Sequence, residues 1–534
     1  KETFLKGGTW AYPVFAALEL VDSKTGKVVD RVDKIKLSDV PRFSPLYGYL
    51  VDGAWRYVQN QLRLKSGAYS VQAKDGTYVT QLMTGKGHNQ KIELDPKESI
   101  FTVTPSTSTA GIKLLPVLLD LGVPESRVRQ VWGDALYGLN QDKSLRVRDT
   151  ETQRYYKALF GKVVPTREQA VKEIQDYFQN KTALSPDTTR RSLGQAFETV
   201  SPELLLASTK RLLDMSRGVS GADDRNSLAN KELHSVDSFL REYIRDSRDK
   251  IHTHVLRQIE KRDSIRESIS PLHFNRPIQA FFSSSNMTST IKQTNPVQNI
   301  AETLKVTLMG EGGIGSERAV TEEVRQVHGS HAGLLDPLDT PESSAIGTTM
   351  AVTLGATKKG NDLAQTVWNV RTGKEEEVTA QKMAMSVLAF PGQYVRADGR
   401  FKPLSNQIKV LDKGKDTVSS PAQVDYAIPV AQAMFSLGAN LIPFLNSVSG
   451  PRGMVGAKHV EQALPLKNPE SPLVMTAIPG SKNMTFEELV GAEASTRSRI
   501  QGQVTRVTPD AIFVKGPKGE ERHGIFDNFP LNEK

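Results

Sequence analysis

The hydrophobic pattern of this sequence changes its period along the chain, and this change constrains the fold more than any other feature. Residues 8–60 and 66–105 alternate polar and apolar positions between glycine-containing turns, which predicts β structure. From about residue 112 the apolar positions take helical spacing, and short strand patterns return in 351–430 and 497–526. Since strands and helices come in separate runs without a βαβ series, we predict a multi-domain α+β protein.

The helical part contains several segments with helical spacing and plausible capping residues. These segments are 112–121, 125–138, 166–180, 188–199 and 202–215. A longer helix is predicted over 234–269, where Arg and Lys alternate with Asp and Glu outside one apolar stripe. The favoured interpretation of those charges is a solvated helix face with intrahelical ion pairs.

Length and composition restrict the function classes. A chain of 534 residues exceeds one hydrophobic core, so three or four domains are expected. Its formal net charge of +9 favours a polyanionic partner, although such a balance is common. The sequence contains no cysteine, which excludes disulfides, cysteine–zinc sites and a thiol nucleophile. No run of about 18 apolar residues predicts a membrane span, and residues 1–20 show no secretory-signal pattern.

The segment 310–315 reads GEGGIG and matches the dinucleotide-binding pattern GxGxxG. A plausible strand at 304–309 precedes it, a plausible helix at 316–326 follows, and Asp336 lies where a ribose-binding acid would be sought. However, no second βαβ unit follows, and Asp336 directly precedes a proline. We therefore favour a glycine-rich functional loop, and a dinucleotide-binding enzyme remains the weaker alternative.

Two further clusters resemble metal sites only superficially. His328 and His331 are separated by Gly-Ser and lack the glutamate of HExxH, which predicts two hydrogen-bonding loop histidines. Asp336, Asp339 and Glu342 alternate with prolines, which predicts a rigid turn and no metal cluster. The residues by themselves indicate a basic scaffold with one glycine-rich loop, and they do not fix its function.

A set of stretches in a fixed order resembles the N-terminal half of the β subunit of multisubunit DNA-directed RNA polymerases. The earlier stretches are 52–62 (DGAWRYVQNQL, similar to NGxERVIVSQL), 91–97 (KIELDPK, similar to DFEFDPKD) and 223–233 (DDRNSLANKEL, similar to DDxDHxxNKRL). The later ones are 281–285 (FFSSS), 293–296 (QTNP), 310–318 (GEGGIGSER), 324–328 (VRQVH), 339–342 (DTPE), 436–445 (SLGANLIPFL) and 452–465 (RGMVGAKHVEQALP).

This resemblance implies a division of the chain into the parts of a β-subunit N-terminal half. The implied parts are 1–65 and 233–288 for the protrusion, 66–232 for the lobe, 289–350 for the fork, 351–425 for the external region, and 426–534 for the start of the hybrid-binding or active-centre region with a small terminal β unit. Together they are expected to form one wall of the DNA channel.

The resemblance also implies roles for individual side chains near the active centre. Arg452 matches a family arginine that reaches the triphosphate of the incoming nucleotide, and Gln462 matches a glutamine near the RNA 3′ end. Both are therefore catalytic-site candidates. Lys458 stands where the family has asparagine, and Lys305 stands where the family has arginine. We expect both lysines to contact nucleic acid.

Further nucleic-acid contacts are implied around the glycine-rich loop. Gly312 and Gly313 would let backbone approach downstream DNA closely, because glycine lacks a Cβ. Arg318 matches a family arginine and is expected to contact phosphate, the alternative being an ion pair with a neighbouring glutamate. Glu342 matches the glutamate of ETPEG, whereas Ala345 replaces the asparagine of that block.

The resemblance implies a subunit of a nucleotidyltransferase that is inactive by itself. The catalytic Mg²⁺ is expected on a β′-like partner carrying NADFDGD, and no metal on this chain. The other expected partners are a C-terminal β-like chain, template DNA, RNA, nucleoside triphosphates and a specificity factor. The divergent motifs and the end of the resemblance near residue 530 favour a split β of a giant bacteriophage, located in the virion or the infected host cell. The alternative is a non-catalytic virion or scaffold protein that reuses polymerase domains.

Overall fold

The computed structural model describes residues 2–44, 47–144, 148–162, 166–291, 295–464, 466, 468–478, 484–494 and 498–524. The described residues form an α+β fold that divides into two compact units. One unit comprises residues 1–63 and 232–534, and the other comprises residues 64–231. Residues 293–294 and 465 of the resemblance, and 497 and 525–526 of the predicted terminal β unit, lie outside the described residues.

The N-terminal part of the first unit is β structure, as the alternating pattern predicts. It contains a short helix and a series of strands: α1 (Glu2–Leu5), β1 (Ala11–Val21), β2 (Val28–Pro41), β3 (Tyr49–Val51), β4 (Ala54–Val58) and β5 (Asn60–Leu64). Strands β1 and β2 form an antiparallel ribbon. Strands β3 and β4 pair through the turn at Asp52 and Gly53, both of which have positive φ.

The second unit packs helices on an antiparallel sheet with strand order β10–β9–β8–β7–β6. Its strands are β6 (Gly67–Gln72), β7 (Tyr78–Met83), β8 (Gln90–Asp95), β9 (Ile100–Pro105) and β10 (Ile112–Lys113). Its helices are α2 (Leu114–Asp120), α3 (Glu125–Trp132), α4 (Asp134–Ser144), α5 (Arg148–Phe160), α6 (Arg167–Lys181), α7 (Pro186–Leu193) and α8 (Pro202–Ser216). Its core includes Phe101 and Trp132, whose ring centroids lie 4.6 Å apart.

Two helix predictions in this unit are corrected by glycines. The single helix predicted over 125–138 is divided at Gly133, which has a φ of +81° and ends α3. The helix predicted over 188–199 ends at Leu193, because Gly194 takes the left-handed conformation typical of a C-cap. The start of α8 is confirmed: Ser201 caps Leu204 N, and Pro202 occupies the first turn.

The first unit continues with helices that replace the predicted long helix. They are preceded by β11 (Lys231–His234) and comprise α9 (Val236–Asp246), α10 (Arg248–Arg262), α11 (Ile265–Ser268) and α12 (Leu272–Ser284). The prediction of one helix over 234–269 is wrong, because the chain turns at Ser247 and again at Asp263. Asp263 has a φ of +47°, which ends α10 and lets Ile265 become buried.

A sheet with strand order β11–β5–β13–β15–β14 carries the region of the candidate site. The elements here are β12 (Thr288–Thr290), α13 (Pro296–Leu304), β13 (Lys305–Thr307), α14 (Glu322–Arg325), β14 (Leu335–Asp336) and β15 (Thr349–Val352). Strand β13 is parallel to β5 and antiparallel to β15. Strand β12 pairs with β4.

The remaining elements confirm the short strands predicted for 351–430. They are β16 (Thr357–Lys359), β17 (Asp362–Asn369), β18 (Lys374–Thr379), α15 (Ala380–Ala384), β19 (Val387–Ala389), β20 (Tyr394–Ala397), β21 (Arg400–Pro403), β22 (Ile408–Asp412), β23 (Lys415–Ser419) and β24 (Tyr426–Ala427). After them come α16 (Leu437–Asn440), α17 (Gly450–Glu461), α18 (Phe486–Ala494), β25 (Gln503–Thr508), β26 (Ala511–Gly516) and β27 (Gly519–Gly524). No described helix is long and apolar enough to cross a membrane.

Candidate nucleic-acid and nucleotide interface

Helix α17 is anchored through one face. Gly453, Ala457 and Glu461 are its buried residues, and their spacing of four places them on one side of the helix. A Cβ at Gly453 would lie 3.2 Å from Leu338 Cδ1, so the glycine permits a close approach to the 336–340 segment. The buried face therefore fixes the rotation of α17 about its axis.

The opposite face of α17 carries the two residues predicted for the catalytic site. Arg452, His459 and Gln462 are exposed. An offset of seven positions places Arg452 and His459 on the same side of the helix, and Gln462, the C-cap residue directly after α17, lies about a quarter-turn from them, also away from the buried residues. Lys458 is half-buried on the flank of this face. Within the described part of the chain, none of these four side chains has a hydrogen bond or an ion pair. They are therefore available to a ligand.

Lys305 lies in a different environment from the one expected of a free phosphate-binding cation. Its Nζ is 3.1 Å from Glu302 Oε1 and 3.0 Å from Glu461 Oε2, and its side chain is only 16% exposed. Burial acts to lower the pKa of Lys305, but Glu461 and Glu302 raise it above its usual range. The ammonium is thus charged and already bound within the chain, and a contact with nucleic acid stays a prediction.

Asn295 connects two helices near this cluster. Its side-chain oxygen accepts a hydrogen bond from Val297 N at the start of α13. Its side-chain amide donates to Val460 O and Glu461 O, both at 2.9 Å, at the end of α17. The Asn-Pro sequence signals the cap of α13, but the second role requires the fold. Asn295 is a positioning residue that the sequence analysis missed.

The glycine-rich loop packs against the side chains of β5. Gln61 Nε2 donates to Met309 O at 2.7 Å, and Arg63 Nη2 donates to Glu311 O at 2.9 Å. A Cβ at Gly312 would lie 2.5 Å from Arg63 Cζ, and a Cβ at Gly313 would lie 2.5 Å from Leu308 O. Close packing within the chain therefore explains why glycine is required at both positions. Their approach to DNA stays a prediction.

The substitution Gly312→Ala is expected to destabilise the loop by about 1–3 kcal/mol, because the φ of +79° and the contact with Arg63 both oppose a Cβ. Denaturant unfolding and proteolysis of the loop measure the effect. Gly315→Ala is the matched control, because a Cβ there meets nothing within 4 Å. Equal stability of the two variants would contradict the structural role of Gly312.

The residues after the loop do not form the predicted helix. The prediction of a helix over 316–326 is wrong: a single 3₁₀ turn covers Glu317–Ala319, and Val320 is extended before the short α14. The loop therefore lacks the long helix whose N-terminus binds a dinucleotide pyrophosphate. Arg318 and Glu342 are exposed, and neither has a side-chain partner among the described residues. In particular, Arg318 is not paired with Glu317 or Glu322.

The histidines and Asp336 serve as hydrogen-bonding groups. Ser330 N donates to His328 Nδ1 at 3.1 Å, and His331 lies buried beside it, which confirms two hydrogen-bonding loop histidines. Asp336 accepts from Ser436 N at 2.7 Å and from Leu338 N at 2.8 Å. Burial raises the pKa of the Asp336 carboxyl. In the described ranges no three His, Asp or Glu residues form a group that could hold a metal ion.

Helix α10 presents a basic face that the sequence analysis did not single out. Lys250, Arg257 and Lys261 follow a spacing of seven and four positions, which places them on one side, and His254 lies between them. The half-buried apolar residues lie on the opposite side; these are Ile251, Val255 and Ile259. We call Lys250, His254, Arg257 and Lys261 the basic face of α10.

The prediction of intrahelical ion pairs is confirmed on α9, where Arg241 and Asp237 lie 3.9 Å apart, but it is wrong for the basic face of α10. Among the described residues, Lys250, Arg257 and Lys261 have no acidic partner within 4 Å. Asp249 and Glu260 project from a different side of α10, about a quarter-turn away. The basic face of α10 is therefore an exposed row of cations about 16 Å long, since a helix rises 1.5 Å per residue.

Comparison with known proteins finds similarity to subunits of RNA polymerases. The family model described as RNA polymerase Rpb2, domain 3, matches residues 289–357, the range that contains the glycine-rich loop and Asp339. The DNA-directed RNA polymerase subunit beta of Gloeobacter violaceus is 24% identical over 558 residues, covering 98% of this chain and 48% of the relative. The corresponding subunit of a Synechococcus strain is 25% identical over 555 residues, covering 97% of this chain and 49% of the relative.

These similarities support the interpretation of the chain as the N-terminal half of a β subunit. The chain spans about half the length of the curated relatives it matches. The similarity covers nearly the whole chain, so it includes both α17 and the glycine-rich loop.

Proposed function

We propose that this chain is a β-type subunit of a DNA-directed RNA polymerase, forming one wall of the DNA channel and contacting DNA, the RNA 3′ end and the incoming nucleotide. The observation that carries the proposal is the exposed face of α17. Arg452 and Gln462 lie there on the exposed side of the helix, about a quarter-turn apart and without partners among the described residues. Similarity to β subunits over 98% of the chain supports the same function.

The chemistry of the α17 face suits a triphosphate and an RNA end. The Arg452 guanidinium can donate charge-assisted hydrogen bonds to phosphate oxygens and offset charge that develops during transfer. The Gln462 amide can donate and accept hydrogen bonds at the RNA terminus. Lys458 adds a cation on the flank of the face. Arg318 and the basic face of α10 supply further cations for phosphate oxygens of DNA.

The described side chains do not fit a catalytic metal ion, because no three potential ligands cluster among them. In the proposed polymerase Mg²⁺ supplies electrophilic catalysis from a β′-like partner. The chain's own contribution is to bind and orient the nucleotide and nucleic acid.

The proposal extends to the assembly. The partners would be a C-terminal β-like chain, β′-like chains of which one carries NADFDGD, and a specificity factor. The departures in the 339–347 segment, such as Ala345, favour a split β of a giant bacteriophage, located in the virion or the infected cell. Mass spectrometry of the proteins that co-purify with the chain tests this: isolation of one uninterrupted bacterial β subunit would contradict the split form.

The isolated chain is expected to make no RNA, and synthesis is expected only after it joins the β′-like and C-terminal β-like chains with Mg²⁺. The reason is that its described residues offer nucleotide-binding side chains but no metal site. Nucleotide incorporation on a primed template measures this. The matched control is the same assembly without this chain. RNA synthesis by the rigorously purified single chain, or undiminished synthesis without it, would contradict the proposed function.

A further inference from the structure

Two buried carboxylate oxygens beside α17 lack hydrogen-bond donors. Asp339 Oδ2 and Glu461 Oε1 are both fully buried, and neither receives a hydrogen bond from the described residues. Both lie 3.6 Å from the position that a Cβ would take at Gly438, so they border the same small space. A buried acceptor without a donor is costly, and two such acceptors in one space require an explanation.

The charges around this space do not balance. Lys305 contributes one positive charge, whereas Glu302, Glu461 and Asp339 contribute up to three negative charges. On the remaining packed elements, Tyr57 of β4 interacts with Glu302. Asp336, which adds another acid, is occupied by its own backbone donors. One proton added to the cluster would lower the excess negative charge and provide the missing donor.

Glu461 is the group on which this proton fits best. Its Oε2 accepts from Lys305, while its Oε1 is the orphaned atom, so a proton on Oε1 leaves the ion pair in place. Burial and the neighbouring Asp339 raise the pKa of Glu461 to about 7. At neutral pH and below, the carboxyl is therefore protonated in a substantial fraction of molecules.

We propose that Glu461 and Asp339 share one proton, with Glu461 as the donor, and that this pair acts with Lys305 to position α17. The pair connects the end of α17 to the 336–340 segment, on the side opposite to Arg452. The proposal rests on the proposed function only for the statement that α17 presents Arg452 and Gln462 to nucleotide and RNA. Glu461 and Asp339 are thus positioning residues and have no contact with substrate.

The proposal predicts that the local stability of α17 depends on pH. An unfolded glutamate has a pKa of about 4.3, so the folded state binds the proton more tightly than the unfolded state. The stabilisation is fully present below that unfolded value and is lost as the pH rises through about 7. From this group alone, the constant for local opening of α17 should rise about 30-fold between pH 5.5 and 8.

The test compares Glu461→Gln with Glu302→Gln by hydrogen–deuterium exchange of the α17 amides in the full chain. Glutamine imitates the protonated carboxyl, since its amide can donate toward Asp339 while its oxygen still accepts from Lys305. We expect Glu461→Gln to lose the pH dependence, so that its protection relative to the wild type grows by about 30-fold between pH 5.5 and pH 8. Comparison at equal pH cancels the intrinsic exchange chemistry.

Glu302→Gln is the matched control, because it makes the same isosteric change to the other carboxylate that pairs with Lys305. We expect it to weaken protection at both pH values and to keep most of the pH dependence. Asp339→Asn gives an independent second variant: its amide can donate to Glu461, so the pH dependence should shrink as in Glu461→Gln. Infrared difference spectra should show one protonated carboxyl in the wild type that Glu461→Gln lacks.

Loss of protection in Glu461→Gln at every pH would show an ordinary ion pair and overturn the shared proton. An unchanged pH dependence in both Glu461→Gln and Asp339→Asn would overturn it equally. These readouts use the chain without partners or nucleotides. A failure of the polymerase proposal would therefore leave them intact, and a failure here would leave the polymerase proposal intact.

Discussion

In the proposed polymerase, Arg452→Ala is expected to lower the rate of nucleotide addition at limiting nucleotide by about ten- to a hundredfold. Loss of one charge-assisted contact to phosphate costs roughly 1.5–3 kcal/mol, which corresponds to that factor. Because Arg452 is exposed and lies opposite to the buried face of α17, the helix itself should remain folded. Elongation rates measured as a function of nucleotide concentration give the effect on KM and kcat separately.

Two comparison variants make this prediction specific. Arg396→Ala removes an exposed arginine of the same unit that is already paired with Glu375 at 3.0 Å, so elongation should not change. Arg452→Lys keeps the charge but loses the forked geometry, so it should recover part of the rate. An unchanged elongation rate in Arg452→Ala at limiting nucleotide would refute the role implied for this residue.

The elements that the sequence predicted correctly have local causes. The strands of 66–105 follow from the alternation of polar and apolar positions, and the start of α8 follows from the cap at Ser201 and the proline after it. The helix breaks at Gly133 and Asp263 were not predicted. In the structure both residues take positive φ, which interrupts the helix. An isolated glycine is tolerated within a helical pattern, and aspartate also occurs inside helices, so neither residue by itself fixes where a helix ends.

The buried charges could not be read from the sequence for a different reason. Glu461 lies among polar and charged neighbours at the end of a helix, which is the usual pattern of a solvated residue. Its burial arises because Lys305, 156 positions earlier in the chain, meets it across β13 and α17. A contact of that sequence separation depends on tertiary packing, and no local pattern encodes it.

The candidate site was predicted in part. The family resemblance selected Arg452 and Gln462, and the structure adds that both lie on the exposed side of α17. Their function stays a prediction. For the glycine-rich loop, spacing alone indicated a dinucleotide motif, whereas Arg63 and Gln61 explain Gly312 and Gly313 by packing. The motif misled because glycine is required for any close approach of backbone, whatever the approaching group.

Replacing Lys250, Arg257 and Lys261 together by glutamine is expected to weaken binding of duplex DNA on the order of a hundredfold or more at 0.1 M salt. Each cation that neutralises a phosphate releases a counterion, which contributes about −0.9 to the slope of log affinity against log salt. Loss of three contacts should therefore reduce that slope by about 2.7. DNA binding by the full chain, titrated at several salt concentrations, measures both quantities.

The chain offers a control with the same composition and the same change of charge. Lys382, Lys402 and Arg522 are comparably exposed, but each is paired with an acid, at 2.7, 2.6 and 3.1 Å. Their joint replacement by glutamine also removes three positive charges, so any effect of net charge alone appears in both variants. If the basic face of α10 follows the phosphate backbone, only its own replacement changes the salt slope. Equal slopes in the two triple variants would mean that DNA responds to the overall charge and that this face makes no specific contact with the duplex.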